Sequence, residues 1–265
     1  APCSELFASE TKRNNFAETT VALFNEYNID GLDLDWEYPA IEGYPGHVYT
    51  RSDRENFTQL INVLRDRMGN KYILSFAAGG FIDYLEKSID WDAVMPKVDF
   101  VNLMTYDLVG GYSKVTGHHT PLKDYRPGQE STQKCVNWLL KHKVKREQLI
   151  IGAAVYARVW EGVPSENNGL YQAGNFKQGV SFKDFKTYFS DSSGYIYYWD
   201  KKAEAPYQYN PAKKLFATFD DEQSIRAKTK FIRQNKLGGI MFWQLLDDKT
   251  SDGLVDAIYF GLKKQ

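Results

Sequence analysis

Apolar and polar positions along the chain switch between a helical period and a strand period, and that switching predicts an alternating α/β fold. From Glu10 to Tyr27, the side chains Phe16, Leu23 and Tyr27 recur near helical spacing among polar residues. The stretch Asp30-Gly31-Leu32-Asp33-Leu34-Asp35-Trp36-Glu37-Tyr38-Pro39 then alternates with a period of two. Read as a strand, it sends Asp33, Asp35 and Glu37 to one face and Leu32, Leu34 and Trp36 to the other. A second helix is expected where Ser52 and Glu55 make a capping box, Phe57, Leu60, Ile61, Leu64 and Met68 form an apolar stripe, and Gly69 ends the run.

Further along, residues 72–78 read as a buried strand and residues 82–95 as helical. A third strand over 98–106 places Asn102, Met104 and Tyr106 on one face, with Asp107 just past its C-terminal end. A helix over 131–142 leads into a strand over 149–158, where Ala154, Tyr156 and Arg158 share a face. From about 161 to 222 the rhythm breaks: the segment is rich in Tyr, Asn, Gly and Ser, with a short helix near 182–189 and a strand-like run over 194–200. It is too long for a plain βα loop and is read as a small α+β insertion. A helix over 222–235, a strand over 238–244 and a final helix from Gly253 follow. Polar residues gather at strand C-terminal ends, which is where a (β/α) barrel carries its active site. The expected division is 1–160 and 222–265 as barrel parts with 161–221 inserted.

Composition narrows the function. With 43% hydrophobic and 25% charged residues, and no apolar run of the eighteen or so needed to span a bilayer, the chain reads as a soluble globular protein with no membrane span. A net charge of -1 gives no reason to expect nucleic acid as a partner. Aromatic residues make up 15%, which suits either a carbohydrate groove or an aromatic-rich core. Spacing alone does not decide whether Cys3 and Cys135 pair. The chain opens Ala1-Pro2-Cys3, without an initiator Met or apolar leader, and is read as a mature or trimmed product.

Three carboxylates on one strand face repel one another, lose solvation and push at least one pKa upward. A carboxyl kept protonated near neutral pH can serve as a general acid. A calcium loop also spaces acids two apart, but it needs Gly at position six and Glu at position twelve, and counting from Asp33 these are Tyr38 and Tyr44. Adjacent His118 and His119 invite a metal reading, yet sequence neighbours point apart and no third ligand is spaced for them.

The acidic pattern closing on Glu37-Tyr38-Pro39 resembles the signature of family 18 glycoside hydrolases, the chitinases. The pieces Met104-Thr105-Tyr106-Asp107, Tyr156-Ala157-Arg158 and Trp243 follow in the family's order, and 197–200, 205–209 and 219–221 resemble the insertion domain of chitinases with deep clefts. The resemblance implies a (β/α)8 TIM barrel with a small α+β insertion before the last strand. It assigns Glu37 as the proton donor, Asp35 as the residue orienting the sugar's 2-acetamido group, and Asp33 as the support of Asp35. Tyr106 would hydrogen-bond the acetamido oxygen. Met104, Asp107, Tyr156 and Arg158 would bind substrate, Trp243 would form the floor beneath the distorted sugar, and Asp30 would support the base of the strand.

The implied reaction is substrate-assisted hydrolysis of β-1,4-linked N-acetylglucosamine without metal or organic cofactor, by a secreted, periplasmic or cell-surface monomer acting on chitin or its oligosaccharides. The alternatives are an endo-β-N-acetylglucosaminidase and a non-catalytic chitin-binding lectin. Fewer than thirty residues precede Asp30, so the expectation is five barrel strands, with the first three strand-helix units lacking from this chain.

Overall fold

The computed structural model describes residues 2–263. The chain forms two compact units: one made of the residues up to Leu103 together with Val136–Ile150, the other of Met104–Cys135 with the residues from Ile151 onward.

In the first unit, β1 (Gly31–Leu34) pairs in parallel with β2 (Ile73–Gly79), Asp33 opposite Ser75 and Leu34 opposite Phe76. Gly31 permits the approach, because a Cβ there would lie 2.1 Å from the Ile73 carbonyl oxygen. β3 (Phe100–Met104) extends the order to β1-β2-β3, and β4 (Leu149–Ala154) begins in this unit and continues into the other. Leu34, Trp36, Phe57, Leu60, Leu64 and Phe76 are buried, and a run of aromatic contacts joins Trp36 to Phe57, Phe57 to Phe76 and Phe76 to Trp91. Much of the aromatic excess is therefore core.

Two helix readings need correction. The helix Glu10–Tyr27 forms, but its buried face is Arg13, Ala17, Thr20 and Phe24, while Leu23 and Tyr27 are 49% and 64% exposed. Positions 13, 17, 20 and 24 follow a true helical stripe, and Arg13 is tolerated on it because its guanidinium donates to the Phe7 carbonyl at 2.7 Å. The helix Asp53–Met68 has no capping box, since the Ser52 side chain makes no cap hydrogen bond. Asp53 is buried instead and accepts from Thr50 N (2.8 Å), Thr50 Oγ1 (2.9 Å) and Ser4 Oγ (2.8 Å). Ser52 itself adopts helical backbone angles (φ -68°, ψ -13°) rather than the extended conformation from which an N-cap hydroxyl reaches the helix amides.

In the second unit, β5 (Tyr156–Glu161), β6 (Asn175–Ser181), β7 (Ile196–Asp200), β8 (Ala205–Asn210) and β9 (Leu215–Thr218) form an antiparallel sheet in the order β6-β5-β9-β8-β7. Trp160, Phe216, Tyr207 and Tyr209 pack together as its core. The remaining strand, β10 (Gly239–Trp243), is the neighbour of β4, which brings the strands outside the antiparallel sheet to five among the described residues, the number expected. The single strand expected over 149–158 is two. At Val155 the amide donates to Trp243 O (2.8 Å) while the carbonyl accepts from Phe182 N (3.0 Å), so the chain leaves one ladder and enters another. Ala154 therefore belongs to a different sheet from Tyr156 and Arg158.

A fully buried ion pair lies beneath this switch. Asp220 accepts from Lys228 Nζ (2.6 Å), Ala154 N (3.0 Å) and Ser224 Oγ (2.6 Å), and Lys228 also donates to Thr120 Oγ1 (2.6 Å) and Gly152 O (3.2 Å). Burial pushes the Lys228 ammonium down and Asp220 pulls it back up. Removing one partner strands the other charge without water, so Lys228→Ala is expected to cost about 3–5 kcal/mol in urea unfolding. The double substitution Lys228→Met with Asp220→Leu is expected to cost less than Lys228→Ala alone.

Candidate active site

The acidic stretch does what its period requires, with one difference. Leu34 and Trp36 are buried, and Trp36 packs on Phe7 at 5.5 Å and Phe57 at 6.2 Å. Asp33, Asp35 and Glu37 face the other way and are exposed rather than buried, and the hydrogen-bonded strand itself ends at Leu34. Asp30 is also exposed, and its carbonyl accepts from Ile73 N (2.9 Å) at the start of the β1–β2 pairing.

Within this face Asp33 is anchored. Its Oδ1 accepts from Ser75 Oγ (2.6 Å) on β2 and from Asn102 Nδ2 (3.0 Å) on β3. Asp35 is not free of its neighbour's charge: partial desolvation, and then Asp33, push its carboxyl above the ordinary aspartate range. Past the strand, Tyr38 packs edge-on against Phe81 (5.5 Å) and Tyr84 (5.2 Å). The following loop folds so tightly onto Glu37 that a Cβ on Gly43 would lie 2.4 Å from the Glu37 carbonyl oxygen. Glu37 is thus held from both sides along the backbone while its side chain stays exposed.

The second unit carries a separate cluster. Asp107, just past β3 with φ 53°, occupies the left-handed region that aspartate tolerates better than most residues. Its carboxylate receives Arg158 Nε (2.7 Å), Arg158 Nη2 (2.6 Å) and Tyr156 Oη (2.9 Å), a bidentate clamp plus a phenol. Burial alone would raise the Asp107 carboxyl, but hydrogen bonds from Arg158 and His119 hold it well below the carboxylate range. Burial keeps Tyr156 protonated, with Asp107 adding to the shift.

Around that clamp, Tyr106 packs edge-on to Tyr156 at 6.3 Å, and its hydroxyl lies 3.8 Å from Met241 Sδ. Met104 is buried, and Trp243 at the end of β10 is 54% exposed. His118 and His119 point to different carboxylates: His118 Nε2 lies 3.1 Å from Asp200, and His119 Nδ1 lies 3.5 Å from Asp107. Complete burial pushes His119 down more than Asp107 restores it, which keeps its imidazole neutral.

Sequence reasoning missed three side chains here. Ser75 was detectable only through the β1–β2 register that puts it opposite Asp33. Asn102 was placed on the correct face but given no task, and His119 was weighed only as a metal ligand beside His118, not as a neighbour of Asp107.

Comparison with known proteins gives a consistent picture. The sequence profile of the family described as glycosyl hydrolases family 18 matches residues 3–248. Chitinase A1 of Niallia circulans is 32% identical over 93% of this chain and 39% of that protein. Among solved structures, a family 18 N-acetylglucosaminidase from Paenibacillus barengoltzii is 37% identical, with a TM-score of 0.90 over 98% of this chain and 78% of that one. The Group IV chitinase of Ostrinia furnacalis in complex with allosamidin is 26% identical, with a TM-score of 0.89 over 98% of this chain and 75% of that one. The chain spans 39%, 60% and 62% of the length of the first three curated relatives it matches.

The depressed Asp107 carboxyl has a signed consequence. Its stabilising contribution is complete above the unfolded aspartate pKa of about 3.9 and is lost as pH falls through the lower folded value. Asp107→Asn is expected to be less stable than wild type at pH 7, with the two melting temperatures converging below about pH 4. Thermal unfolding followed from pH 7 to pH 2 reads this directly.

Proposed function

Since the chain belongs to glycosyl hydrolases family 18, we propose that it hydrolyses β-1,4 linkages between N-acetylglucosamine units, as in chitin and its oligosaccharides. The observation that carries this reading is the open acid face of Asp33, Asp35 and Glu37, with Asp33 tied to two neighbouring strands and the Asp35 carboxyl raised. The side chains that donate to Asp33 are a serine and an asparagine, both neutral.

The chemistry proceeds by substrate assistance. Glu37 donates its proton to the glycosidic oxygen as the bond from that oxygen to the anomeric carbon breaks. The substrate's own acetamido oxygen attacks the anomeric carbon and closes an oxazolinium ring. Asp35 orients the acetamido group and stabilises the positive charge that develops on it. Glu37, now a carboxylate, takes a proton from water as the water opens the ring, giving retention of configuration. In the second unit we assign Tyr106, Met104, Asp107, Tyr156 and Arg158 to holding sugar, and the exposed Trp243 ring to stacking on one.

We read β1 to β4 and β10 as strands of a (β/α)8 barrel, with an insertion before the last strand whose antiparallel sheet already begins at Tyr156 rather than at the expected 161. An extracellular or cell-surface location fits a polymeric substrate, and among the described residues no helix is long and apolar enough to cross a membrane.

Three experiments test the reading. Release of chromophore from a di-N-acetylchitobioside is expected from the wild-type protein and is expected to fall by about 10²–10⁴-fold in Glu37→Gln, the range removed with a general acid. A folded wild type that binds chito-oligomers without cleaving them makes this protein a lectin. The relative named an N-acetylglucosaminidase makes product length informative, so chitopentaose digests separate single-sugar release from disaccharide release. Removing the neighbouring charge in Asp33→Asn is expected to lower the Asp35 carboxyl and move the acidic limb of the pH–rate profile to lower pH. An unmoved limb assigns that limb to another group.

A further inference from the structure

Between the acid face and the helix Asp53–Met68, the first unit carries a loop over 39–52 that the proposed chemistry does not use. Both ends of the loop are fastened. Before it, Tyr38 packs on Phe81 and Tyr84; near its end, Thr50 donates its amide (2.8 Å) and its hydroxyl (2.9 Å) to the buried Asp53. Ile41 is buried beneath the loop, while Tyr44 stands out from it with 56% of its surface exposed. The stretch Tyr44-Pro45-Gly46-His47 shows how that ring is held. His47 N donates to Tyr44 O at 2.9 Å, Pro45 takes the second position, and Gly46 takes the third with φ 87°. This is a type II turn, in which proline presets one torsion and glycine supplies the positive one. The turn brings its first and last side chains together, so the Tyr44 ring leans on the half-buried His47 imidazole, with centroids 5.5 Å apart at 38°.

We infer that Tyr44 is a specificity-determining residue of the proposed hydrolysis, its ring stacking on the sugar at the leaving-group side of the cleaved bond. The inference rests on the chitin reading. A single exposed tyrosine on a loop is ordinary. This one is set apart by its place and its backing. The residue before it, Gly43, lies so close to the acid that a Cβ there would stand 2.4 Å from the Glu37 carbonyl oxygen, which puts the start of the turn beside Glu37.

The order of the acids gives the side. Asp35 and Glu37 follow one another on the same face, and the proposed chemistry uses them in that order along the substrate, Asp35 at the acetamido group and Glu37 at the glycosidic oxygen. The leaving sugar comes next, and the Tyr44 turn is what the chain brings next to Glu37. A pyranose offers a C–H face that an aromatic ring covers well. Because the proline, the glycine and the His47 ring already fix the tyrosine, stacking on it costs little further conformational freedom.

The test compares two substrates, di-N-acetylchitobiosyl fluoride, whose leaving group is a single atom, and chitopentaose, whose leaving group is a sugar. Tyr44→Ala is expected to lower kcat/KM for chitopentaose about threefold to tenfold more than for the fluoride, with the difference residing in KM. Tyr44→Phe, which keeps the ring, is expected to hold the wild-type ratio of the two kcat/KM values. Val48→Ala, which trims another side chain of the same loop, 74% exposed, is expected to hold it too. An unmoved ratio in Tyr44→Ala overturns the inference. So does an equal loss on both substrates, which makes Tyr44 a support of Glu37, and so does a fall in Val48→Ala that matches Tyr44→Ala. A wild type that fails to cleave chitopentaose refutes the chitin reading and this inference with it, whereas cleavage with an unmoved ratio refutes the role of Tyr44 alone.

Discussion

Trp36 can bury its indole only by turning Asp35 and Glu37 outward, and the first unit is arranged around that constraint. Because successive side chains of extended backbone leave on opposite faces, the contacts of Trp36 with Phe7 and Phe57 set the orientation of the acids on either side of it. The core holds the greasy face, and no force needs to be applied to the acids themselves. What remains is to keep three carboxylates from collapsing onto stray cations or splaying apart. Ser75 and Asn102 do that for Asp33 with neutral donors, which hold it without cancelling its charge. The charge then acts on Asp35.

The second unit treats its carboxylates differently. Asp107 is clamped by Arg158 and Tyr156 and is an anion under all ordinary conditions, while Asp220 spends its charge wholly on Lys228 and local donors. On the acid face Asp33 keeps neutral donors, whereas Asp107 and Asp220 are saturated so that they position what surrounds them. Burial alone does not distinguish these roles. The partners do: neutral hydroxyl and amide donors on Asp33, a guanidinium on Asp107 and an ammonium on Asp220. A carboxylate matched to a fixed cation has little freedom to change protonation near neutral pH.

Much of this was legible in the chain itself. The alternation from Asp30 to Tyr38 identified the acid face, and Gly69 with the stripe from Phe57 to Met68 identified a helix, because both patterns express local periodicity that packing then uses. The readings that failed did so where periodicity was outvoted. Leu23 and Tyr27 look like a helix stripe, but the small side chains Ala17 and Thr20 make the closer-packing face. Ser52 looks like a cap, but its backbone is already helical and its hydroxyl makes no cap hydrogen bond. Residues 149–158 look like one strand because period two continues unbroken through Val155, although the chain changes sheets there.

By itself, then, the sequence determined which residues face together along each element and which family the chain resembles, since both are encoded in spacing over a few residues. Only the tertiary structure decided what those faces meet. It decided that Asp33 is held by Ser75 and Asn102, that His118 and His119 serve different carboxylates, and that Lys228 lies buried beside Asp220. These partners are separated in the chain by up to 82 residues, as for His118 and Asp200. Hydrogen-bond geometry and desolvation depend on distance in space, and a linear period carries no information about it.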